Sequence, residues 1–300
     1  MKVEWETMPA GESIVSFSGR VGKRLKRNEN SVRAKINYLL RTREIERAEI
    51  EAELPAVLFV DIETLQFVRG AWSAWDDNAS ADTIIRDWAV LSWSAKWLGD
   101  DRLMSDVLTP KEIPWDLRKP VKDKRICGTL WQLFDQADVV VAQNGIKFDI
   151  PKMNTRWWFH GMGKPSSCKV IDTLQTARKI FSMTFNSLDY LAHYLGLGGK
   201  LKTELKLWNE CRDGNKEALQ RMKTYNENDV LLLELVYEKM RGWIPNHPRY
   251  TIYSEIKDVC PVCLDANIKY IGLYYAAVRR YREFRCGKCH SIWHSTRHIK

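Results

Sequence analysis

The spacing of apolar residues changes twice along this chain. Between residues 11 and 52, Ile14, Phe17, Val21 and Leu25 recur at intervals of three and four, and after the polar break Arg27-Asn28-Glu29-Asn30 the stripe resumes in Val32, Ile36, Leu39 and Leu40. That period predicts two helices, the second capped by Asn30 or Ser31. Residues 44–54 are charged and helical, and Pro55 closes them. From 56 the pattern is that of strands. Residues 56–61 are almost wholly apolar, as expected of a strand covered on both faces. Residues 90–98 alternate around Trp93 and Trp97, and 102–108 follow, so the three strands are expected to form an antiparallel meander. Residues 71–82 read as loop, 123–135 as a helix, 138–142 as a short buried strand, and a further short strand begins at Cys168. Helices are expected over 173–181, 187–195 and 216–241; Gly196-Leu197-Gly198-Gly199-Lys200 reads as a helix stop, and Asn215 and Gly242 bracket the longest helix. A meander followed by helix, strand and helix is an α/β arrangement on a mixed sheet.

Charge sharpens this division. The net charge is +9, and it is concentrated at the two ends: residues 20–43 carry nine Lys or Arg against one Glu, and residues 251–300 nine against four acids. Basic terminal segments around a nearly neutral body fit modules that meet a polyanion; two solvated basic faces are the plainer alternative. No stretch reaches the roughly 18 to 20 continuous apolar residues of a membrane span, and Met1-Lys2-Val3-Glu4-Trp5-Glu6 lacks the pattern of a signal peptide. The expected setting is cytoplasmic, or the host cytoplasm for a viral protein, with no membrane partner.

Three motifs carry candidate chemistry. In Phe59-Val60-Asp61-Ile62-Glu63-Thr64 two carboxylates lie two apart on a strand and therefore share a face. Like charges that close raise each other's pKa unless a cation joins them, and paired oxygen ligands suit Mg²⁺ or Mn²⁺. In Gln143-Asn144-Gly145-Ile146-Lys147-Phe148-Asp149, with Pro151 in a first helical turn, Asp149 falls at a strand-to-helix junction, a place suited to capping the helix, to ligating a metal, or to both. In the last long helix, Tyr225 and Asp229 are four apart and share a face.

Taken in order, these motifs resemble the ribonuclease-H-like 3′-to-5′ exonucleases of the four-acid-plus-tyrosine type, the group that includes proofreading domains of DNA polymerases. The resemblance covers about residues 55–245, and Ile171-Asp172-Thr173 and the segment from Ser187 to Gly196 are similar to connecting segments of that group. It implies a mixed five-stranded sheet flanked by helices and a pair of Mg²⁺ or Mn²⁺ ions. Asp61 would bridge both metals, Glu63 and Asp229 would complete the nucleophile side, and Asp149 would hold the second metal through water. Tyr225 would orient the attacking water; Thr224 stands where a sister branch has histidine. Leu65, Asn144 and Phe148 are expected contacts to the terminal nucleotide, whereas Asp172 is expected to be structural.

The ends extend this picture. Cys260-Pro261-Val262-Cys263 and Cys286-Gly287-Lys288-Cys289 have the spacing of a four-cysteine site for one structural Zn²⁺. Tyr-, Val- and Arg-rich residues 269–285 between them predict the hairpin of a zinc ribbon. His290, His294 and His298 are spare ligands. Arg279, Arg280, Arg282 and Arg285, interleaved with Tyr274, Tyr275 and Tyr281, suit either nucleic acid or a protein partner such as a replication or recombination factor. The first 54 residues resemble a helix-turn-helix, in which Arg33 and Lys35 on the second helix would meet DNA; a basic helical hairpin docked on the main domain is the alternative. The expected layout is thus a helical module over 1–54, the exonuclease domain over 55–250 and the ribbon over 251–300. The leading expectation is a stand-alone exonuclease acting on DNA in replication, recombination or repair, as in bacteriophages. The alternatives are an exoribonuclease with the same site, or a nucleic-acid-binding scaffold that no longer cuts.

Overall fold

The computed structural model describes residues 55–71, 73, 80–252 and 258–299. The helical expectations for residues 11–54, with Arg33 and Lys35, lie outside the described residues. Strand β1 (Val57–Leu65) is the centre of the fold. Strands β2 (Val68–Arg69) and β3 (Ile84–Arg86), on either side of the segment expected as loop, form a small antiparallel pair that the apolar pattern did not predict. Then come β4 (Ala89–Trp97), β5 (Leu103–Val107), helix α1 (Lys124–Gln136), β6 (Val139–Ala142), α2 (Asp149–Phe159), β7 (Lys169–Asp172) and α3 (Thr173–Ile180). Helices α4 (Leu188–Tyr194), α5 (Leu205–Arg212) and α6 (Lys216–Met240) complete the body.

The main sheet has five strands in the order β5-β4-β1-β6-β7. Strands β4 and β5 run antiparallel to β1 as the expected meander, while β6 and β7 are parallel to it. Both faces of β1 are covered, which is why its sequence shows a continuous apolar run. Leu58, Val60 and Ile62 pack into one core with α1, α2 and the first turns of α6. Val57 and Phe59 enter a second core with α3, α4 and the later turns of α6. By the period of two, Asp61 and Glu63 follow Val57 and Phe59 onto the α6 side.

The expected end of β1 at Asp61 is corrected here. Pairing with β4 continues through Leu65, opposite Ala89, with an irregularity between Glu63 and Thr64. The carboxylates therefore stand within a rigid hydrogen-bonded strand. Because β1 and β6 are parallel neighbours, the turn that follows β6 emerges at the same edge of the sheet. There Asn144 has φ 64°, and a Cβ on Gly145 would lie 2.5 Å from that of Ala142, so the Asn-Gly pair is required by the turn. Asp172 supports it by accepting the N–H groups of Asn144 (3.1 Å) and Ile146 (3.2 Å), and it also caps α3 through Gln175 N–H (3.0 Å).

Helix α6 begins as expected, with Asn215 accepting the Ala218 N–H at 2.8 Å. It stops at a 3-10 turn containing Gly242, whose missing side chain leaves room for the backbone of Cys289. The C-terminal segment docks at this point. Arg241 Nη2 donates to Val262 O (2.9 Å), and Tyr250 N–H to Pro261 O (2.6 Å). Its sheet has three strands where the pattern predicted two: β8 (Ile268–Tyr275), β9 (Arg280–Cys286) and β10 (Ile292–Ile299), in the order β10-β9-β8. The third strand supplies Trp293, which stacks on Phe284 at 5.9 Å. No helix among the described residues is long and apolar enough to cross a membrane.

Candidate metal-dependent active site

Strand β1 presents Asp61 and Glu63, and α6, lying across that face, presents Asp229. One oxygen from each of the three carboxylates lies within 4.8 Å of the others. Asp149 stands outside that cluster but next to it, and its Oδ1 accepts the Ile62 N–H at 3.1 Å. This corrects the helix-cap alternative: Phe148 is the N-cap of α2, and the Asp149 side chain reaches back to β1. Tyr225 precedes Asp229 by one turn of α6, as its spacing predicted.

Two residues that the sequence reading did not assign complete the site. Lys200 comes from the loop after α4, where Gly196, at φ 68°, ends the helix. Its Nζ lies 2.6 Å from Asp229 Oδ2 and 3.5 Å from the Tyr225 hydroxyl. Asn226, fully buried, donates through Nδ2 to Asp61 Oδ2 at 2.5 Å. The sequence signal for Asn226 was its place between Tyr225 and Asp229 on an otherwise apolar stripe. Lys200 carried no signal beyond being a lone cation after a glycine run.

Gathering four acids in a buried cleft disfavours their charged forms. Burial, then Asp149, Glu63 and Asp229, hold Asp61 well above the usual carboxylate range. Burial and Asp229 push Glu63 up to about 8, and burial raises Asp149 to about 7. Asp229 is raised by burial even though Lys200 opposes the shift. Burial works against the Lys200 ammonium, but Asp229 outweighs it and the lysine is held charged. The Tyr225 phenol is pushed up to about 12 by burial and by Asp229, so it stays protonated. The other oxygen of Asp229, Oδ1, is buried with no hydrogen-bond partner. Convergent hard oxygens with an unsatisfied lone pair fit a divalent cation of the Mg²⁺ or Mn²⁺ kind.

The expected nucleotide contacts divide. Phe148 is 37% exposed beside Asp149, and Asn144 is partly exposed in the turn before it. Leu65 is corrected: it is 1% exposed and packed into the core with Leu58, Val60 and Ile62, because the register irregularity between Glu63 and Thr64 turns it to the face opposite Asp61 and Glu63.

The four C-terminal cysteines also converge. Cys260 and Cys289 sulfurs are 3.6 Å apart, as are those of Cys263 and Cys286, far beyond a disulfide bond length. Hydrogen bonds from Cys263 and then Cys289 pull Cys260 down to about 3. A thiolate centred among three further sulfurs is a donor set suited to Zn²⁺; no histidine joins it. A third group, Asp123 with Cys127 and His160, is different in kind. Arg156 already fills it, donating Nε to Asp123 Oδ2 at 2.7 Å and Nη2 to Oδ1, while His160 Nε2 lies 2.7 Å from Oδ1.

Residues 110–241 match the family model of the RNase_H superfamily. The central domain is ribonuclease-H-like. The match includes Asp149, Lys200, Tyr225 and Asp229, and begins after Asp61 and Glu63. No curated protein matches the chain. Among solved structures it is similar to a family B DNA polymerase from the hyperthermophilic archaeon Pyrobaculum calidifontis, at 17% identity and a TM-score of 0.44, over 63% of this chain and 25% of that one. The chain thus spans about a quarter of that polymerase's length. The ribonuclease-H-like domain, with its acidic centre, is of a nuclease type that generally uses divalent metals.

Proposed function

We propose that the protein is a two-metal 3′-to-5′ exonuclease that removes nucleotides from single-stranded or frayed 3′ ends of DNA, in replication, recombination or repair. The observation that carries this reading is the convergence of Asp61, Glu63 and Asp229 within 4.8 Å, with Asp149 beside them and Tyr225 one helical turn from Asp229. Divalent ions bound there would polarise water, neutralise phosphate oxygens and stabilise the leaving alkoxide.

The chain's own residues do the rest. Asp61, Glu63 and Asp229 hold the ions, with Asp149 supporting the second of them. Asn226 fixes the rotamer of Asp61. The protonated Tyr225 hydroxyl orients a water toward phosphorus, while Lys200 keeps Asp229 in place and adds positive charge beside the cleft. The water oxygen bonds to phosphorus as the bond to the 3′ oxygen breaks. That oxygen takes up a proton, the water's proton passes to solvent, and a nucleoside 5′-monophosphate leaves. Phe148 offers an aromatic face for the terminal base. Cys260, Cys263, Cys286 and Cys289 hold one structural Zn²⁺, and the basic, tyrosine-rich ribbon meets DNA or a partner of the replication machinery.

The test is degradation of 5′-labelled single-stranded DNA and RNA with Mg²⁺ or Mn²⁺, comparing the protein with its Asp61→Ala variant. A descending ladder on DNA, absent from the variant, is the expected result. A ladder on RNA alone would keep the chemistry and overturn the substrate, whereas binding without metal-dependent cleavage would overturn the enzyme.

A further inference from the structure

A groove of about 460 Å³ runs along one side of α2, between that helix, the start of β4 and the loop before α1. Its floor is aromatic. Trp88 is half-buried, Phe159 is 60% exposed and Trp158 is 83% exposed, and all three line it. Single exposed aromatics are ordinary, but two of these three carry cations: Arg156 lies 4.5 Å from the Phe159 ring centre, and Lys152, beside the groove on α2, lies over Trp88. Lys152 Nζ sits 3.6 Å from the Trp88 ring centre and 5.7 Å from that of Phe148, and is in no ion pair among the described residues. Phe148 adjoins Asp149, so the aromatic line starts at the acidic centre and follows α2 outward through Lys152 to Phe159. From Phe148 to Phe159 it spans about 16 Å, room for several stacked nucleotides at about 3.4 Å each.

The charge of the wall decides the occupant. Pro120 and Val121 line the groove, and the residues around them, Arg118, Lys119 and Lys122, are exposed and unpaired among the described residues. Three acids lie nearby: Asp123 is buried under Arg156, Asp116 accepts the Arg118 N–H, and Asp87, which accepts the Trp88 N–H and faces Lys152, itself lines the groove; Arg118, Lys119, Lys122 and Lys152 outnumber the two that are not buried. A basic rim flanking an aromatic floor is complementary to a phosphodiester chain whose bases are unstacked from any partner strand.

We propose that this groove holds the single-stranded 5′ portion of the DNA strand whose 3′ end occupies the acidic site. Bases stack on Trp88 and Phe159, while phosphates face Lys152, Lys119 and Lys122. The placement relative to the cut rests on the exonuclease reading; the affinity for single-stranded DNA does not.

Both parts are tested on the full chain with two variants, Phe159→Ala and the double change Lys119→Glu with Lys122→Glu, at exposed positions. Binding of a fluorescent oligothymidylate of about ten nucleotides is followed by anisotropy in EDTA, where no turnover occurs. Phe159→Ala is expected to weaken it about tenfold. The charge reversal should weaken it further and flatten its salt dependence. In parallel, hydrolysis of thymidine 5′-(p-nitrophenyl phosphate) with Mn²⁺, a substrate with no upstream strand, reads the acidic centre alone in the unaltered protein and in both variants. If the protein fails to hydrolyse that ester while both variants still lose oligonucleotide affinity, the exonuclease reading falls and the groove stands. Affinities within about twofold of the unaltered protein, or ester turnover falling in step with affinity, overturn the groove; the first would point to a protein ligand for this face.

Discussion

Asp123 and Asp229 are both fully buried carboxylates in one domain, and they are treated in opposite ways. Asp123 accepts from the Arg156 guanidinium through both oxygens, from His160, and from the Val90 N–H at 3.0 Å. It ties the start of α1 to the end of α2 and to the first residues of β4. Asp229 is paired with one cation, Lys200, lies beside the Tyr225 hydroxyl, has an Oδ1 with no hydrogen-bond partner among the described residues, and shares its cleft with three other acids. A satisfied buried charge is part of the scaffold, since removing either partner strands the other. An unsatisfied one surrounded by like charges costs stability and is kept for what it binds.

The sharpest way to separate the acidic centre from the Asp123 cluster is to remove one carboxylate from each. Asp61→Asn is expected to lower nuclease turnover on the order of 10³-fold, while the thermal midpoint of the metal-free protein stays level or rises, because one repelling charge is gone and the Asn226 contact survives. A clear fall in that midpoint would break the comparison. Asp123→Ala should do the reverse, costing about 3–5 kcal/mol in a denaturant titration while turnover per folded molecule holds. Adding Arg156→Met should recover part of the loss, since both charges then leave together.

Lys200→Met is intermediate, with turnover reduced on the order of 10²-fold and metal-free stability also lowered, because Asp229 loses its one cation. Unchanged turnover would reduce the lysine to a structural role.

The smallest effect is in the pH dependence of the metal-free protein. Glu63 at about 8 and Asp149 at about 7 lie above the unfolded value of about 4. Above that value the native state therefore binds more protons than the unfolded chain, and stability falls as pH rises. His247, buried against Tyr237 and lowered to about 4, has the opposite sign. It stays neutral in the fold while the unfolded imidazole protonates, so its share is lost as pH falls below about 6.5. Between about pH 6.5 and 8 the carboxylates draw the midpoint in EDTA down as pH rises, against an opposite share from Cys260, which is held down to about 3 in the fold, and a shallow decline is expected there. Asp61→Asn should make that decline shallower, and Mg²⁺ or Mn²⁺ should flatten it.

What was legible in the chain was whatever local periodicity and spacing encode. The apolar run of β1, the meander, the Asn215 cap of α6 and the sharing of faces by Asp61 with Glu63 and by Tyr225 with Asp229 follow from periods of 2 and 3.6. The two Cys-x-x-Cys pairs needed only their spacing. Tertiary structure decided everything that depends on which elements are neighbours. The parallel pairing of β6 with β1 sends Asp149 to Ile62 and not to its own helix, and the irregular pairing with β4 after Glu63 turns Leu65 into the core. The path of the loop after α4 delivers Lys200 to Asp229, and three distant segments meet around Asp123. No local rule could encode these contacts, because a long side chain's partner is fixed by the packing of elements far apart in sequence.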